Sequence, residues 1–152
     1  MEAFDNVKHQ IGCCGIWCGS CVVANGTLRE LTRRYDDILV AYGFEGWVPK
    51  QFDYVEFARG LASIQSMPLC SGCLKNGGRE DCEIKHCVSK KGIHDCSQCT
   101  EPATCRNSEL LEKMRSGALA ADLFVKTEDI DEQRLIELWT EELASRWLGD
   151  LL

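Results

Sequence analysis

The sequence predicts a mainly α-helical protein, in which a small helical domain carries a loop-rich, cysteine-ligated metal-binding lobe. Three observations support this prediction. Apolar residues recur at intervals of three and four in several stretches, strand-like alternation is nearly absent, and 11 of the 152 residues are cysteines gathered in two clusters. We expect a single domain over residues 1–152, with the metal lobe formed by 13–21 and 70–106 and the helical body by 22–66 and 107–152.

The first long helix is predicted from about Ser20 to Tyr42. Ser20 can cap its start and Gly43 can end it. Cys18 and Cys21 would then lie at the helix start, where free amides and the helix dipole stabilise thiolates. The apolar stripe expected to face the core consists of Leu28, Leu31, Tyr35, Ile38 and Tyr42.

A second helix is predicted from about Phe52 to Gln65. Asp53 can cap it, and Met67-Pro68 ends it because proline disfavours a helical conformation in the preceding residue. Its core face is expected to contain Phe57, Leu61 and Ile64, with Phe52, Val55 and Ala58 beside them.

Inside the second cysteine cluster, a short helix is predicted from Asp81 to Lys91 and ended by Gly92. Ile84 and Val88 would form its apolar face. The segment from Cys96 to Cys105 is too short and too polar for an element of its own, so metal coordination would have to order it.

The last third is again predicted to be helical. Ser108 can cap a helix to about Met114, Ser116-Gly117 is a candidate break, and 118–125 could continue as helix. A final helix opens at Thr127. Its stripe, expected in the core, consists of Ile136, Trp139, Leu143 and Trp147, widened by Leu135, Leu138, Leu148, Leu151 and Leu152.

The second cysteine cluster has the spacing of a thiolate metal site. Zinc binds four soft ligands in a tetrahedron, and a C-x2-C pair supplies two of them from one tight turn. Gly72 gives the Cys70–Cys73 pair the backbone freedom for such a turn, and Cys96–Cys99 is a second pair. Because Cys82 and Cys87 lie between the two pairs, spacing leaves two partitions open. The pair Cys70 and Cys73 joins either Cys82 and Cys87 or Cys96 and Cys99.

The N-terminal cluster has a different spacing, C-x3-C-x2-C, formed by Cys14, Cys18 and Cys21. It resembles the iron–sulfur motif of radical SAM enzymes, but the strand pattern and length of their barrel are missing. We expect a second zinc site whose fourth ligand is Cys96, Cys99 or Cys105. The alternative is a 4Fe-4S cluster with a distal cysteine such as Cys105. Cys13 lies outside the spacing and is expected to be free.

An ordered pattern runs through both clusters: Cys14, Gly15, Cys18 and Cys21; Cys70, Gly72 and Cys73; Cys82, Ile84, Cys87 and Lys91-Gly92-Ile93; Cys96, Cys99, Pro102 and Cys105. It resembles a widespread prokaryotic family of uncharacterised cysteine-rich, zinc-binding proteins. Its members share an early CGxxCxxC, then CxGC, CxIxxC, CxxC and a final cysteine. The family usually ends Phe-Pro-Cys, whereas Pro102 here precedes Cys105 by three residues, and Cys13 is extra. The resemblance covers about residues 13–106. It implies metal binding and brings no established activity.

Other polar residues among the thiols have secondary roles in this interpretation. His9, His86 and His94 are expected to be surface residues or to support the thiol ligands rather than to replace them. Lysine and arginine side chains could lower neighbouring thiol pKa values, namely Arg79, Lys85, Lys90 and Lys91.

Composition limits the compartment and the partners. The net charge of −7 and the pI near 5.0 argue against a nucleic-acid partner, which would require a basic surface. No apolar run reaches the length of a membrane span and no secretory signal is visible, so a cytoplasmic location is expected. There, clustered cysteines indicate metal or redox chemistry rather than disulfides.

Three functions remain open at this point. The first is a structural-zinc binding or adaptor module with an unidentified protein partner. The second is an iron–sulfur protein for electron transfer or sensing. The third is a thiol-disulfide redox protein that uses Cys96 and Cys99. No catalytic residue is assigned, and an enzymatic activity is not expected.

Overall fold

A computed structural model describes residues 2–146 of the chain. Over this range the backbone forms six α-helices, five short 3-10 helices and no β-strand, which confirms the mainly helical prediction. The α-helices are α1 Glu2–Val7, α2 Thr27–Ala41, α3 Tyr54–Gln65, α4 Glu83–Lys91, α5 Ser108–Ala120 and α6 Glu132–Arg146. The 3-10 helices are η1 Cys18–Ser20, η2 Phe44–Gly46, η3 Cys73–Lys75, η4 Cys96–Gln98 and η5 Pro102–Thr104.

Trp17 lies at the centre of the main apolar core. Its side chain is fully buried, with the ring of Phe4 at 6.2 Å and that of Trp139 at 5.8 Å between centroids. The indole Nε1 donates to the carbonyl of Lys8 at 2.7 Å, which satisfies the only polar atom of the ring. Other members of this core come from several elements: Ile11, Phe124, Ile136 and Leu143.

Helix α6 presents its predicted stripe to this core. Ile136 and Leu143 are buried and Trp139 packs against Trp17, as expected, whereas Leu138 is 55% exposed. The helix begins at Glu132 rather than near Thr127, and Asp131 caps it by accepting from the amide of Arg134 at 2.9 Å. The predicted contributions of Trp147, Leu148, Leu151 and Leu152 lie outside the described residues.

A second buried cluster joins α4 and α5 to the N-terminal cysteine segment. Cys14, Cys82, Ile84 and Val88 are its buried members. The apolar side of α5 packs against them through Leu110, Leu111 and Met114. The face predicted for α4, Ile84 and Val88, is therefore confirmed.

The predicted start of α2 is wrong, because the chain turns before the helix begins. Ser20 belongs to η1, and the helix starts at Thr27 after Gly26, whose φ is +83°. The buried side chain of Asn25 accepts from the amide of Thr27 at 3.0 Å and donates to the carbonyl of Gly19 at 2.9 Å. Since Asn25 stabilises a turn at this point, Cys18 and Cys21 do not lie at the N-terminus of α2.

The predicted core stripe of α2 is only partly buried. Ile38 is 62% and Tyr42 74% exposed, whereas Thr32 and Leu39 are buried. Helix α3 packs along α2, and Arg29 Nε donates to the carbonyl of Gln65 at 2.8 Å. The two helices form a hairpin, so only the side of α2 that meets α3 and the core is covered.

Other helix ends follow the sequence more closely. Asp53 caps α3 by accepting from the amide of Glu56 at 2.9 Å, and Gly92 ends α4 with φ +66°. Helix α5 runs through Ser116-Gly117 to Ala120, so the predicted break is wrong. Both residues are exposed, and glycine inside a helix costs only about 1 kcal/mol relative to alanine.

The predicted helical continuation over 118–125 is correct to Ala120 and wrong beyond it, because the chain then leaves α5 and becomes extended. Asp122 has φ +58°. Beyond it, the amide of Trp17 donates to Phe124 at 2.9 Å, and Val125 forms an isolated antiparallel bridge with Ile16. Within residues 2–146, no helix has both the length and the apolar character needed to cross a membrane.

Candidate functional site

The N-terminal cysteine segment is held by backbone contacts from distant parts of the chain. The amide of Lys126 donates to Gly15 at 2.8 Å, and the amide of Cys96 donates to Cys13 at 2.9 Å. Arg115 Nε of α5 donates to the carbonyl of Cys14 at 2.9 Å. These bonds bring the two cysteine clusters together, which sequence spacing alone left open.

Three of the 3-10 helices are followed directly by a cysteine in the same backbone conformation. Cys21, Cys99 and Cys105 have φ between −79° and −68° and ψ between 116° and 126°. In each, the cysteine amide donates to the carbonyl three residues earlier. For Cys18–Cys21 and Cys96–Cys99, this is the tight C-x2-C turn that a metal ion requires.

The Cys70–Cys73 pair uses a different turn, built on Gly72. Its φ is +86°, and a Cβ at this position would lie 2.2 Å from Oε1 of Gln10. The Nε2 of Gln10 donates to the carbonyl of Ser71 at 2.9 Å, so the turn is attached to the N-terminal segment. The predicted need for glycine at position 72 therefore has two reasons, the backbone angle and the space.

A first group of thiols joins the two clusters through Cys18 and Cys73. Cys18 and Cys73 lie close enough for their side chains to interact, and Cys70 lies close enough to interact with Cys18. The interaction with Cys18 lowers the pKa of Cys73 to about 6, against its burial, and the positive charge of Lys85 also favours the thiolate. The same interaction raises the pKa of Cys18.

Three cysteines beside this group are packed in apolar surroundings. Cys14 and Cys82 are only 4% and 7% exposed and belong to the second core cluster, against which Cys13 packs. Burial raises the pKa of both Cys13 and Cys14. Cysteine in such a place behaves as a small apolar side chain.

A second group of thiols lines a cavity of about 930 Å³ between α4, α5 and the segment that contains η4 and η5. Its cysteines are Cys87, Cys96, Cys99 and Cys105. Burial raises the pKa of Cys96 to about 11, and the charges of Cys14, Cys105 and Cys87 add to this, while Arg115 opposes it.

Basic side chains line this cavity together with the carboxylates of Glu83, Glu101 and Glu112. Lys91 Nζ lies 3.5 Å from the sulfur of Cys99 and 2.9 Å from Oε2 of Glu101, and both contacts raise the pKa of Lys91. His86, Lys90 and Arg106 also line the cavity. The lysines singled out in the sequence therefore do lie beside thiols, Lys85 near Cys73 and Lys91 near Cys99.

A buried ion pair supports the Cys96–Cys99 turn and was missed by the sequence analysis. Lys126 Nζ lies 2.8 Å from Oδ2 of Asp95, and their side chains are 1% and 0% exposed. Asp95 also caps η4 by accepting from the amide of Ser97 at 2.8 Å. Hydrogen bonds from Lys126 and Ser97 lower the pKa of Asp95 against the opposing effect of burial. The sequence signal for this ion pair was Lys126, a charged residue that directly follows the apolar residues 123–125.

The type of ligand favours metal binding, whereas the present side-chain positions do not form a metal site. Soft thiolates on C-x2-C turns are the ligands that zinc and iron–sulfur clusters take. Yet among residues 2–146, no three His, Cys, Asp or Glu side chains are grouped so that they could hold one ion. The thiols lie in two regions, and metal binding would require the thiol side chains within a region to move toward each other.

Comparison with known proteins identifies a family. A family model described as "Protein of unknown function (DUF3795)" matches residues 10–110. This range is about two-thirds of the chain and contains all 11 cysteines. No curated protein and no solved structure matches the chain.

Proposed function

The chain belongs to the DUF3795 family of proteins of unknown function, and from its ordered cysteines we propose that it is a metal-binding protein whose cysteines hold structural zinc. Its role would be that of a binding or adaptor module. The ligands would come from the patterned cysteines Cys14, Cys18, Cys21, Cys70, Cys73, Cys82, Cys87, Cys96, Cys99 and Cys105.

The observation that carries this proposal is the contact between Cys18 and Cys73. Each belongs to a C-x2-C pair, and the two pairs lie far apart in sequence. This contact supports a site in which both pairs would supply soft donors, and a deprotonated Cys73 would be ready to bind a cation.

A structural role follows from the donor chemistry. A zinc ion with four thiolates has no open coordination position for water or substrate, which distinguishes structural from catalytic zinc. The segment that would be ordered has little secondary structure, because residues 93–107 contain only η4 and η5. Metal binding would contribute to the stability of this segment directly.

Metal content after anaerobic purification tests the proposal. We expect native mass spectrometry and elemental analysis to find zinc bound to a colourless protein. A brown protein with iron, labile sulfide and absorbance near 400 nm would contradict it and favour a 4Fe-4S cluster on Cys14, Cys18 and Cys21 with a distal cysteine. A metal-free protein would contradict both.

A second candidate function is thiol-disulfide exchange, and the same pair of residues favours it. A thiolate at Cys73 beside the Cys18 thiol is the arrangement that attacks and then resolves a disulfide. The structure directs this hypothesis to Cys18 and Cys73 in addition to Cys96 and Cys99.

Equilibration of the metal-free protein in glutathione buffers, followed by mass spectrometry of trapped thiols, tests this second function. A Cys18–Cys73 disulfide that forms ahead of other pairs would support it. If C73S removes bound metal but leaves the rate of thiol exchange unchanged, the redox function is wrong.

A further inference from the structure

We propose that Cys87, Cys96, Cys99 and Cys105 form one closed site for a soft divalent metal ion, separate from the N-terminal cysteines. This inference rests on the proposed function, because it states which thiols share an ion. It differs from both partitions that spacing allowed, since neither placed these four residues together.

The four thiols come to one cavity from three directions. Cys87 lies in the middle of α4, while Cys96 and Cys99 belong to the 3-10 turn at η4. Cys105 follows η5 directly and precedes the first residue of α5 by three positions. All four line the same cavity, and the charges of Cys87 and Cys105 both act on Cys96.

Closure of the cavity around an ion would move an exposed segment rather than the core. Its volume of about 930 Å³ is far larger than one ion, so the thiols must move toward each other. The wall that carries Cys99 and Cys105 is the most exposed part of the lobe, because residues 100–104 are all exposed. One end of this segment stays fixed by the buried Asp95–Lys126 pair, and the other continues into α5.

Positively charged side chains near the four thiols would stabilise the negative charge of a metal centre with four thiolates. Four thiolates on a divalent ion leave a net charge of −2. Lys91 already contacts the sulfur of Cys99 at 3.5 Å, and Arg115 lies close enough to Cys96 to interact with its charge. Cations and N–H donors beside the sulfurs stabilise thiolate ligands and hold them in place.

The remaining cysteines have other places in the structure. Cys14 and Cys82 are buried in an apolar cluster, and Cys18 is engaged with Cys73. Among the N-terminal thiols, the charge of Cys14 acts on Cys96. It is therefore the residue most able to compete for the site, and the experiment must separate it from Cys105.

Protection from alkylation tests the assignment in the full chain without any substitution. The reduced, metal-free protein is given one equivalent of Zn²⁺ at a time, alkylated briefly, and each cysteine is quantified by peptide mass spectrometry. We expect Cys87, Cys96, Cys99 and Cys105 to become protected together, at least tenfold relative to the metal-free protein. Joint protection of Cys96 with Cys14 or Cys21, while Cys87 or Cys105 stays reactive, would overturn the assignment.

Cobalt spectroscopy on variants gives a second, independent result. Co²⁺ in a four-thiolate site produces intense sulfur-to-metal charge-transfer bands, and C105S should remove most of the signal that belongs to the cavity. The cavity-wall control H86A should retain it. An unchanged signal in C105S would contradict the proposal. If the wild-type chain binds neither Zn²⁺ nor Co²⁺, the proposed function itself fails.

Discussion

Gly15 lies where the N-terminal cysteine segment passes closest to the segment before α6. Its φ is +92°, and a Cβ there would stand 2.2 Å from the carbonyl oxygen of Lys126. The amide of Lys126 donates to the carbonyl of Gly15 at the same place, so neither of the two segments can move without breaking this hydrogen bond. Gly15 therefore determines how closely the N-terminal cysteine segment can approach the segment before α6.

G15A should therefore destabilise the protein much more than replacement of a glycine that has open space around it. We expect a loss of more than about 2 kcal/mol, since the left-handed conformation costs an L-residue roughly 1–2 kcal/mol before any clash. G43A is the matched control, because Gly43 also has positive φ but has nothing within 4 Å of a Cβ. Urea unfolding measures both variants. Equal losses would show that the backbone at Gly15 is not confined.

The Asp95–Lys126 pair is the most deeply buried charge pair in the described residues. We expect K126M to destabilise the protein by about 3–5 kcal/mol, because it leaves the carboxylate of Asp95 buried without its partner. The double variant D95N/K126M should recover part of this loss, since asparagine can still accept from the amide of Ser97. Denaturant unfolding checks both variants. A K126M variant as stable as the wild type would mean that the pair is open to water.

Helix α2 shows at the scale of one element why an apolar stripe does not by itself identify a core face. The predicted stripe continues to Ile38 and Tyr42, yet both are largely exposed. The neighbouring residue Leu39 is 6% exposed. Apolar spacing gives the period of a helix, but the packing of α3 decides which side of that helix is covered.

Paired alanine variants in α2 test this correction. L39A should cost about 2–5 kcal/mol, because it leaves a cavity in a packed site. I38A should change the free energy of unfolding by less than about 0.5 kcal/mol, as expected for an exposed position. Thermal or urea unfolding distinguishes them. If I38A is the more damaging substitution, the predicted stripe is correct and the described orientation of α2 is wrong.

Element ends were predictable where one residue determines them. Asp53 caps α3 through its own carboxylate, and Gly92 ends α4 because it adopts positive φ. The start of α2 failed for a different reason. Ser20 has the chemistry of a cap, but its hydroxyl bonds the carbonyl of Trp17 and accepts from the amide of Phe124. The Ser20 hydroxyl is therefore engaged by Phe124, from a distant part of the chain, and does not cap the helix.

At the scale of the whole molecule, the α2–α3 hairpin and residues 93–107 differ in what stabilises their structure. Helices α2 and α3 are long and pack along each other. Residues 93–107 have only two short 3-10 helices and a largely exposed outer edge. Under the proposed function, zinc stabilises the second region and has little effect on the first.

Hydrogen exchange with and without a zinc chelator tests this difference. Chelation should speed amide exchange over 93–107 at least tenfold, because metal binding free energy is folding free energy for such a segment. Exchange in α2 and α3 should change little, which serves as an internal control. Uniform acceleration over the chain would show that the metal stabilises the whole protein, and no change anywhere would argue against a structural metal.

By itself, the sequence determined the helical class, the approximate place of every long helix and the concentration of thiols in two clusters. These properties depend on local periodicity, capping chemistry and residue type, which a single stretch of chain carries. Only the tertiary structure decided which thiols are neighbours. Cys18 meets Cys73, and Cys87 shares a cavity with Cys105, because hydrogen bonds at Gln10, Cys13, Cys14 and Gly15 hold distant segments together. The buried partner of Asp95 is likewise 31 residues away, and no local pattern contains such a distance.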